Sequence, residues 1–415
     1  MGLVLLALQS IKKDFIKSLF YFLTFVLTTV FIFLFFNLTL NPDTKINLGG
    51  QDQTIITPIA VLVILVAMLC VFMVNDFYVV AKSKDISIIL VSGASVYQVG
   101  FYLLIQSLIL LSLAILTGFM ISYFLVPIVN QFFLVTVSSV DTIYFISERT
   151  YVATAIILLF EIGWCTYLNM GYCYRTNINT MLKASVKIED YGFKIKQRSH
   201  LFYLLAFMIP LIIFPFLNQA KDYFIFSIIG AIGVYGIVKQ IVPKLITYLQ
   251  ADWGLEDRHW LIVLGNLKKD LQQVRYLVIL VMLSAIILMC SILYTLNDPL
   301  VSTIVLFAYF SVMILLAITT IFKLGMELKK RQRSFKNLTY LGYELKDLKK
   351  IITLEMIIFY SLIMIIPLLY QVVIITRLTY LGLLNGLLIM MILMIMIVPM
   401  LICMIINIIM YYQIL

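Results

Sequence analysis

Ten apolar runs constrain this chain more than any other feature. They cover 16–38, 55–78, 99–127, 150–174, 201–218, 223–246, 275–296, 300–324, 351–374 and 385–408. A helix rises about 1.5 Å per residue, so about 20 apolar residues cross the hydrocarbon layer of a bilayer. In lipid a helix satisfies its backbone hydrogen bonds within one segment. The runs therefore predict an all-α integral membrane protein with about ten transmembrane helices. Composition agrees: 63% of the 415 residues are hydrophobic and 12% are charged, which leaves little for a folded soluble domain. The first run is too long for a signal-peptide core and no A-x-A site follows it, so it is expected to be retained. Asn41-Pro42-Asp43, Asn218-Gln219-Ala220 and Asn297-Asp298-Pro299 supply turn chemistry between runs.

With an even number of spans, both termini fall on one side. Segments on that side hold 26 of the 30 Lys and Arg residues, and the other side holds only Lys45, Arg149, Lys221 and Arg377. Basic residues accumulate in cytoplasmic loops, so the bias predicts cytoplasmic termini. It also accounts for the net charge of +10 without invoking nucleic acid.

Between the second and third runs lies a short wet stretch, 82–98. Its apolar residues Ile86, Ile89, Leu90, Gly93 and Val96 follow helical spacing, while Lys82, Lys84 and Asp85 predict a solvated start. Gly93 interrupts it, and Ala94-Ser95 offers a cap for the next helix. A similar stretch, 333–346, follows the eighth run, with Phe335, Leu338, Leu341, Leu345 and Leu348 as its apolar face and Gly342 as its break. Ser10-Ile11-Lys12-Lys13-Asp14-Phe15 leads into the first run, and Asn266-Leu267-Lys268-Lys269-Asp270-Leu271 leads into the seventh. The repeat predicts two parallel four-helix units, 1–175 and 251–415, joined by a cytoplasmic loop and two-helix linker at 176–250.

The stretch from Asp85 through Ile86, Ile89, Leu90 and Gly93 to Ser95 resembles the signature of FtsX-like (MacB-type) ABC transporter permeases. The late copy keeps Leu341-Gly342 but has Ser334 where the acid would stand. Two FtsX-like four-helix repeats around a two-helix linker resemble the ten-span bacitracin-resistance subgroup of Gram-positive bacteria. One departure stands out: that subgroup has a large extracellular domain between spans seven and eight, where this chain has only Leu296-Asn297-Asp298-Pro299. The resemblance implies a multi-pass permease in a bacterial cell membrane, on a cytoplasmic dimer of ABC ATPase subunits that bind ATP and magnesium. It implies ATPase coupling through Asp85, Ile86, Ile89, Leu90 and Gly93, and through Phe335, Leu338, Leu341 and Gly342. It allows export or membrane extraction of an amphipathic, antimicrobial or bacteriocin-like peptide. It also allows mechanical transmission to a wall hydrolase or sensor kinase without transport.

The residues themselves carry little chemistry. No G-x-x-x-x-G-K-[ST] loop occurs, so ATP hydrolysis of that class is expected in a separate subunit and no cofactor in this chain. Five scattered cysteines and two histidines show no metal-ligand spacing. An amphipathic helix can enter a groove on a partner or lie on the bilayer surface, and the wet stretches fit both. Glu161, mid-span in the fourth run, must face a bundle interior, water or a neighbour, or be protonated; it is the intramembrane polar candidate. Glu355, one turn inside the ninth run, is expected at the cytoplasmic interface. Phe31 to Phe36 read as lipid-facing or packing surface, and Trp253 and Trp260 as an interfacial belt. The stretch 128–149, with Asp141, Glu148 and Arg149, could follow the membrane surface or meet an outer partner.

Overall fold

The computed structural model describes residues 2–40, 50–136, 146–175, 200–217, 220–252, 257–296, 298–326, 328–380, 382 and 386–415. Asn41-Pro42-Asp43, Asn218-Gln219, Asn297, Asp141 and Trp253 lie outside the described residues, as does the whole stretch 176–199. Among the described residues there is no strand, and nine helices are long and apolar enough to cross a membrane. The chain is an all-α, multi-pass membrane protein.

Two compact units divide the chain, Met1–Tyr191 and Gly192–Leu415. The first contains α1 (Gly2–Lys13), α2 (Phe15–Leu40), α3 (Gly50–Ala81), α4 (Ser83–Val91), α5 (Val96–Thr136) and α6 (Glu148–Arg175). The second opens with α7 (His200–Ile213), α8 (Ala220–Gly236) and α9 (Val242–Asp252). It continues with α10 (Arg258–Tyr294), α11 (Pro299–Met326), α12 (Leu328–Tyr340), α13 (Leu345–Tyr380) and α14 (Gly386–Tyr412). The linker helices pack with the second repeat: α8 lies on α7 and α10, and α7 also touches α13.

The fifth apolar run is a helix, but a shorter one than its neighbours. It extends over 14 residues as α7, about 21 Å, and tightens into a 3-10 turn at Phe214–Phe216. Pro215 explains the change, because it lacks an amide hydrogen and crowds the carbonyl four residues back.

Within each unit the spans follow one contact pattern. In both, the first span touches the second and third, and the fourth touches the second and third; in the first unit the first span also packs against the fourth. In the first unit the central helix is α2, whose stretch Phe31 to Phe36 is buried throughout. Those aromatics are packing surface, held partly by the edge-on contact of Phe33 with Phe119 at 5.5 Å. In the second unit α10 and α11 are the most enclosed spans. Trp260 is half-buried at the start of α10. Residues 128–136 continue α5 as helix, so that part of 128–149 is not a surface loop. All five cysteines are free and buried, as small apolar residues commonly are.

Candidate docking site at the two short helices

The short helices α4 and α12 end alike. Gly93 has φ +97° and Gly342 φ +90°, a left-handed conformation that glycine adopts without strain. Gly93 N donates to Leu90 O at 3.1 Å and Ala94 N to Ile89 O at 3.3 Å. In the later copy Gly342 N donates to Thr339 O at 3.1 Å and Tyr343 N to Leu338 O at 3.2 Å. Each is the paired-bond helix terminus that satisfies the last carbonyls. The next helix then starts with a side-chain cap. Ser95 and Gln98 cap reciprocally, Ser95 N to Gln98 Oε1 at 2.9 Å and Gln98 N to Ser95 Oγ at 3.3 Å. In the later copy Glu344 N donates to Asp347 Oδ2 at 3.2 Å. Every one of these positions recurs 249 residues on.

That same spacing pairs residues that the sequence pattern had not linked to one another. Lys82 stands 249 positions before Arg331, and Gln106 the same distance before Glu355. Both basic side chains turn inward. Lys82 is not the solvated residue its charge suggested: it is 1% exposed, and its ammonium donates to Gln106 Oε1 and Ser10 Oγ, each at 3.1 Å. Arg331 donates to Glu355 Oε1 at 2.7 Å and to Asp270 Oδ1, while Asn266 Nδ2 donates to Glu355 Oε2 at 3.0 Å. A basic residue at the root of each short helix thus ties it to the third span of its own unit, and also to α1 in the first unit and to the first span, α10, in the second. Counting positions outward from Gly93 and Gly342 would have revealed the pair.

The two ties differ in charge. In the second unit two carboxylates surround one guanidinium. Burial alone would lower the Arg331 pKa; the carboxylates of Asp270 and Glu355 more than offset this and hold it above its ordinary value. In the first unit the hydrogen-bond acceptors are neutral, and burial pushes the Lys82 ammonium down to about 8 despite Asp14 and Asp85 nearby. The second unit has a further clamp. His259 Nδ1 faces Asp257 Oδ1 at 2.8 Å and Nε2 faces Asp347 Oδ1 at 3.1 Å, joining the starts of α10 and α13. The backbone N–H of His259, with its ring, holds the Asp257 carboxyl below its usual range.

The apolar residues expected to couple to a partner divide between two faces. Ile86 and Phe335 are buried inside their own units. Ile89 and Leu90 pack against the cluster of Ala7, Val79, Val99, Tyr102 and Leu103, and Leu338 is half-buried. Asp85 is half-buried, 4.0 Å from Lys13. Leu341 stays outward at 75% exposure. The outer surface is formed by Ile88, Val91, Val96 and Tyr97 around Gly93, and by Tyr340, Leu341 and Leu345 around Gly342. Val91 and Tyr340 correspond in the repeat, as do Val96 and Leu345. Sequence pattern named Val96, Leu341 and Leu345 but missed Ile88, Val91, Tyr97 and Tyr340, and it did not separate the inner from the outer apolar residues.

Glu161 stands apart from the short helices, fully buried in α6. Glu355 belongs to the Arg331 cluster, at the root of α12. Among the described residues no group of three His, Cys, Asp or Glu side chains could hold a metal ion. Each of the two short helices offers an outward apolar surface braced from behind by its own unit. In comparisons with protein-family models and with curated proteins, nothing matches this chain.

Proposed function

We propose that the chain is the permease subunit of an ATP-driven membrane complex, with each short helix seated on one subunit of a cytoplasmic ABC ATPase dimer. The carrying observation is the repeated, braced pair of outward apolar surfaces around Gly93 and Gly342. Apolar residues on a helix provide the anchors for binding in a partner's groove. The chain has no phosphate-binding loop of the P-loop type, so ATP and magnesium belong to the partner in this reading. The cargo it fits best is an amphipathic peptide moved from or through the bilayer, because the spans hold few polar residues to line an aqueous path.

Val91→Asp and Tyr340→Asp place a charge on the outer surface without touching the inner packing. Each is expected to reduce co-purification with the ATPase by tenfold or more, on the order of one interface hot spot. Ile86→Val, on the inner face, should leave binding near wild type. Normal ATPase recovery with both Asp variants would sink the docking assignment.

The basic bias orients this reading, with both termini and both short helices in the cytoplasm of a bacterial cell. In a cysteine-free background, an impermeant thiol reagent should label position 45 on intact cells and position 336 only after permeabilisation. The reverse pattern overturns the orientation.

A further inference from the structure

Glu161 has 0% exposure, and among the described residues neither carboxyl oxygen has a hydrogen-bond partner. Cys165, Asn169 and Cys173 follow it at one-turn intervals and are also buried, so one face of α6 points inward. That face meets a polar chain: Asn75 Nδ2 donates to Asn169 Oδ1 at 2.7 Å, and the Tyr21 hydroxyl donates to Asn75 Oδ1 at 3.0 Å. Among the described residues, the titratable groups that interact with Glu161 are the Tyr21 phenol from α2 and the Cys165 thiol from α6. Neither supplies a positive charge.

The other charged residues of the four spans stand elsewhere. α5 carries none, and α2, α3 and α6 carry Lys17, Asp52, Asp76, Glu148, Arg149 and Arg175. Lys17 is engaged by Asp14 at 3.5 Å and by the Ala81 carbonyl at 3.1 Å. Asp76 is exposed. Asp52 lies about 35 Å along α3 from Asn75, and Arg149 and Arg175 lie about 18 and 21 Å along α6 from Glu161. A carboxylate in this position would have lost its water and gained no cation, which strongly disfavours the charged form. A proton removes that difficulty.

We propose that Glu161 is a proton-binding site of the first unit, protonated in the closed packing of α2, α3 and α6 and ionised when that packing opens. The ligand is the proton itself. The site is confined to one half of the repeat: Cys403 and Asn407 stand 238 positions after Cys165 and Asn169, but Pro399 occupies the place of Glu161. This assignment stands on the packing of α2, α3 and α6 and does not depend on the proposed ATPase or cargo.

The test uses the full-length chain in membrane vesicles and the apolar reagent N,N′-dicyclohexylcarbodiimide. The reagent takes the carboxyl proton on one nitrogen while the carboxyl oxygen bonds to its central carbon. An oxygen-to-nitrogen acyl shift then leaves a stable N-acylurea. Mass spectrometry at neutral pH should find the adduct on the peptide containing Glu161, and the same peptide from Glu161→Gln should be unmodified. Recovery of that peptide without adduct overturns the proposal. Equal modification of Glu161 by an impermeant, water-soluble carbodiimide with an added amine also overturns it, because the carboxyl would then stand in water.

Discussion

Replacing Arg331 by Met should destabilise the second unit by about 3–5 kcal/mol, the usual result of leaving a buried ionic group without its partner. Asp270 and Glu355 are each about as enclosed as Arg331, so neither carboxylate can recover water. Asn266 would still donate to Glu355. The corresponding change in the first unit, Lys82→Met, should cost less, about 1–3 kcal/mol, because it leaves the buried Gln106 Oε1 without its donor. Its partners, Gln106 and Ser10, are neutral, and it removes a buried cation with no carboxylate hydrogen-bonded to it. Replacing Arg331, Asp270 and Glu355 together by Met, Leu and Leu should recover most of the loss, since a packed apolar triad can match a buried ionic one. Thermal unfolding in detergent compares the variants. If Arg331→Met melts as the wild type does, the cluster is not what holds α12 to α10 and α13.

This contrast makes the two short helices unequal in their anchoring. α12 is tied by two carboxylates at its root, and the α13 helix beyond its glycine by His259 and Arg258, the latter 3.3 Å from Asp347. α4 is tied by neutral acceptors and by the long Lys13–Asp85 pair, whose lysine is largely exposed. An exposed pair of that kind contributes little. If the proposed ATPase moves both surfaces, the first unit offers the softer attachment.

What the sequence made legible follows from the strength of each physical signal. Apolar runs report membrane helices well, because lipid forbids any other use for them. The glycines were legible because a helix stop needs a residue that tolerates positive φ, and Gly93 and Gly342 both adopt it. The face of each short helix was not legible. Ile86, Ile89 and Leu90 and the outer Ile88 and Val91 are equally apolar, and spacing cannot tell a unit's own core from a surface awaiting a partner. Lys82 misled for a related reason: a lysine before a break suggests water, and only the fold brings Gln106 and Ser10 around it. The Arg331 cluster joins residues 61 and 24 positions apart, too far for any local pattern to announce.

The linker was legible as two apolar runs but not as a close-packed hairpin, and its glycines carry the second large effect. Gly233→Leu should separate α7 from α8 and cost about 3 kcal/mol or more, the upper range for overpacking a tight core. A Cβ at Gly233 would stand 2.4 Å from Phe207 N and 2.6 Å from its Cα, so backbone rather than a flexible side chain blocks it. Gly230 and Gly236 line the same approach, with Tyr370 and Tyr203 as their nearest neighbours. Tyr370 also donates to the Phe207 carbonyl at 2.7 Å, so separating α7 and α8 would disturb α13 as well. Small residues that let backbones approach are a common basis for helix association in lipid. Gly163→Ala and Gly171→Ala in α6 meet nothing within 4 Å and should be neutral or slightly stabilising, since alanine favours a helix by up to about 1 kcal/mol over glycine. Detergent melting with limited proteolysis around residue 219 reads both effects. Gly233→Leu should melt earlier and open the hairpin to cleavage while the α6 variants match the parent. A Gly233→Leu protein that resists cleavage as the parent does would mean that α7 and α8 are not held together by this close approach.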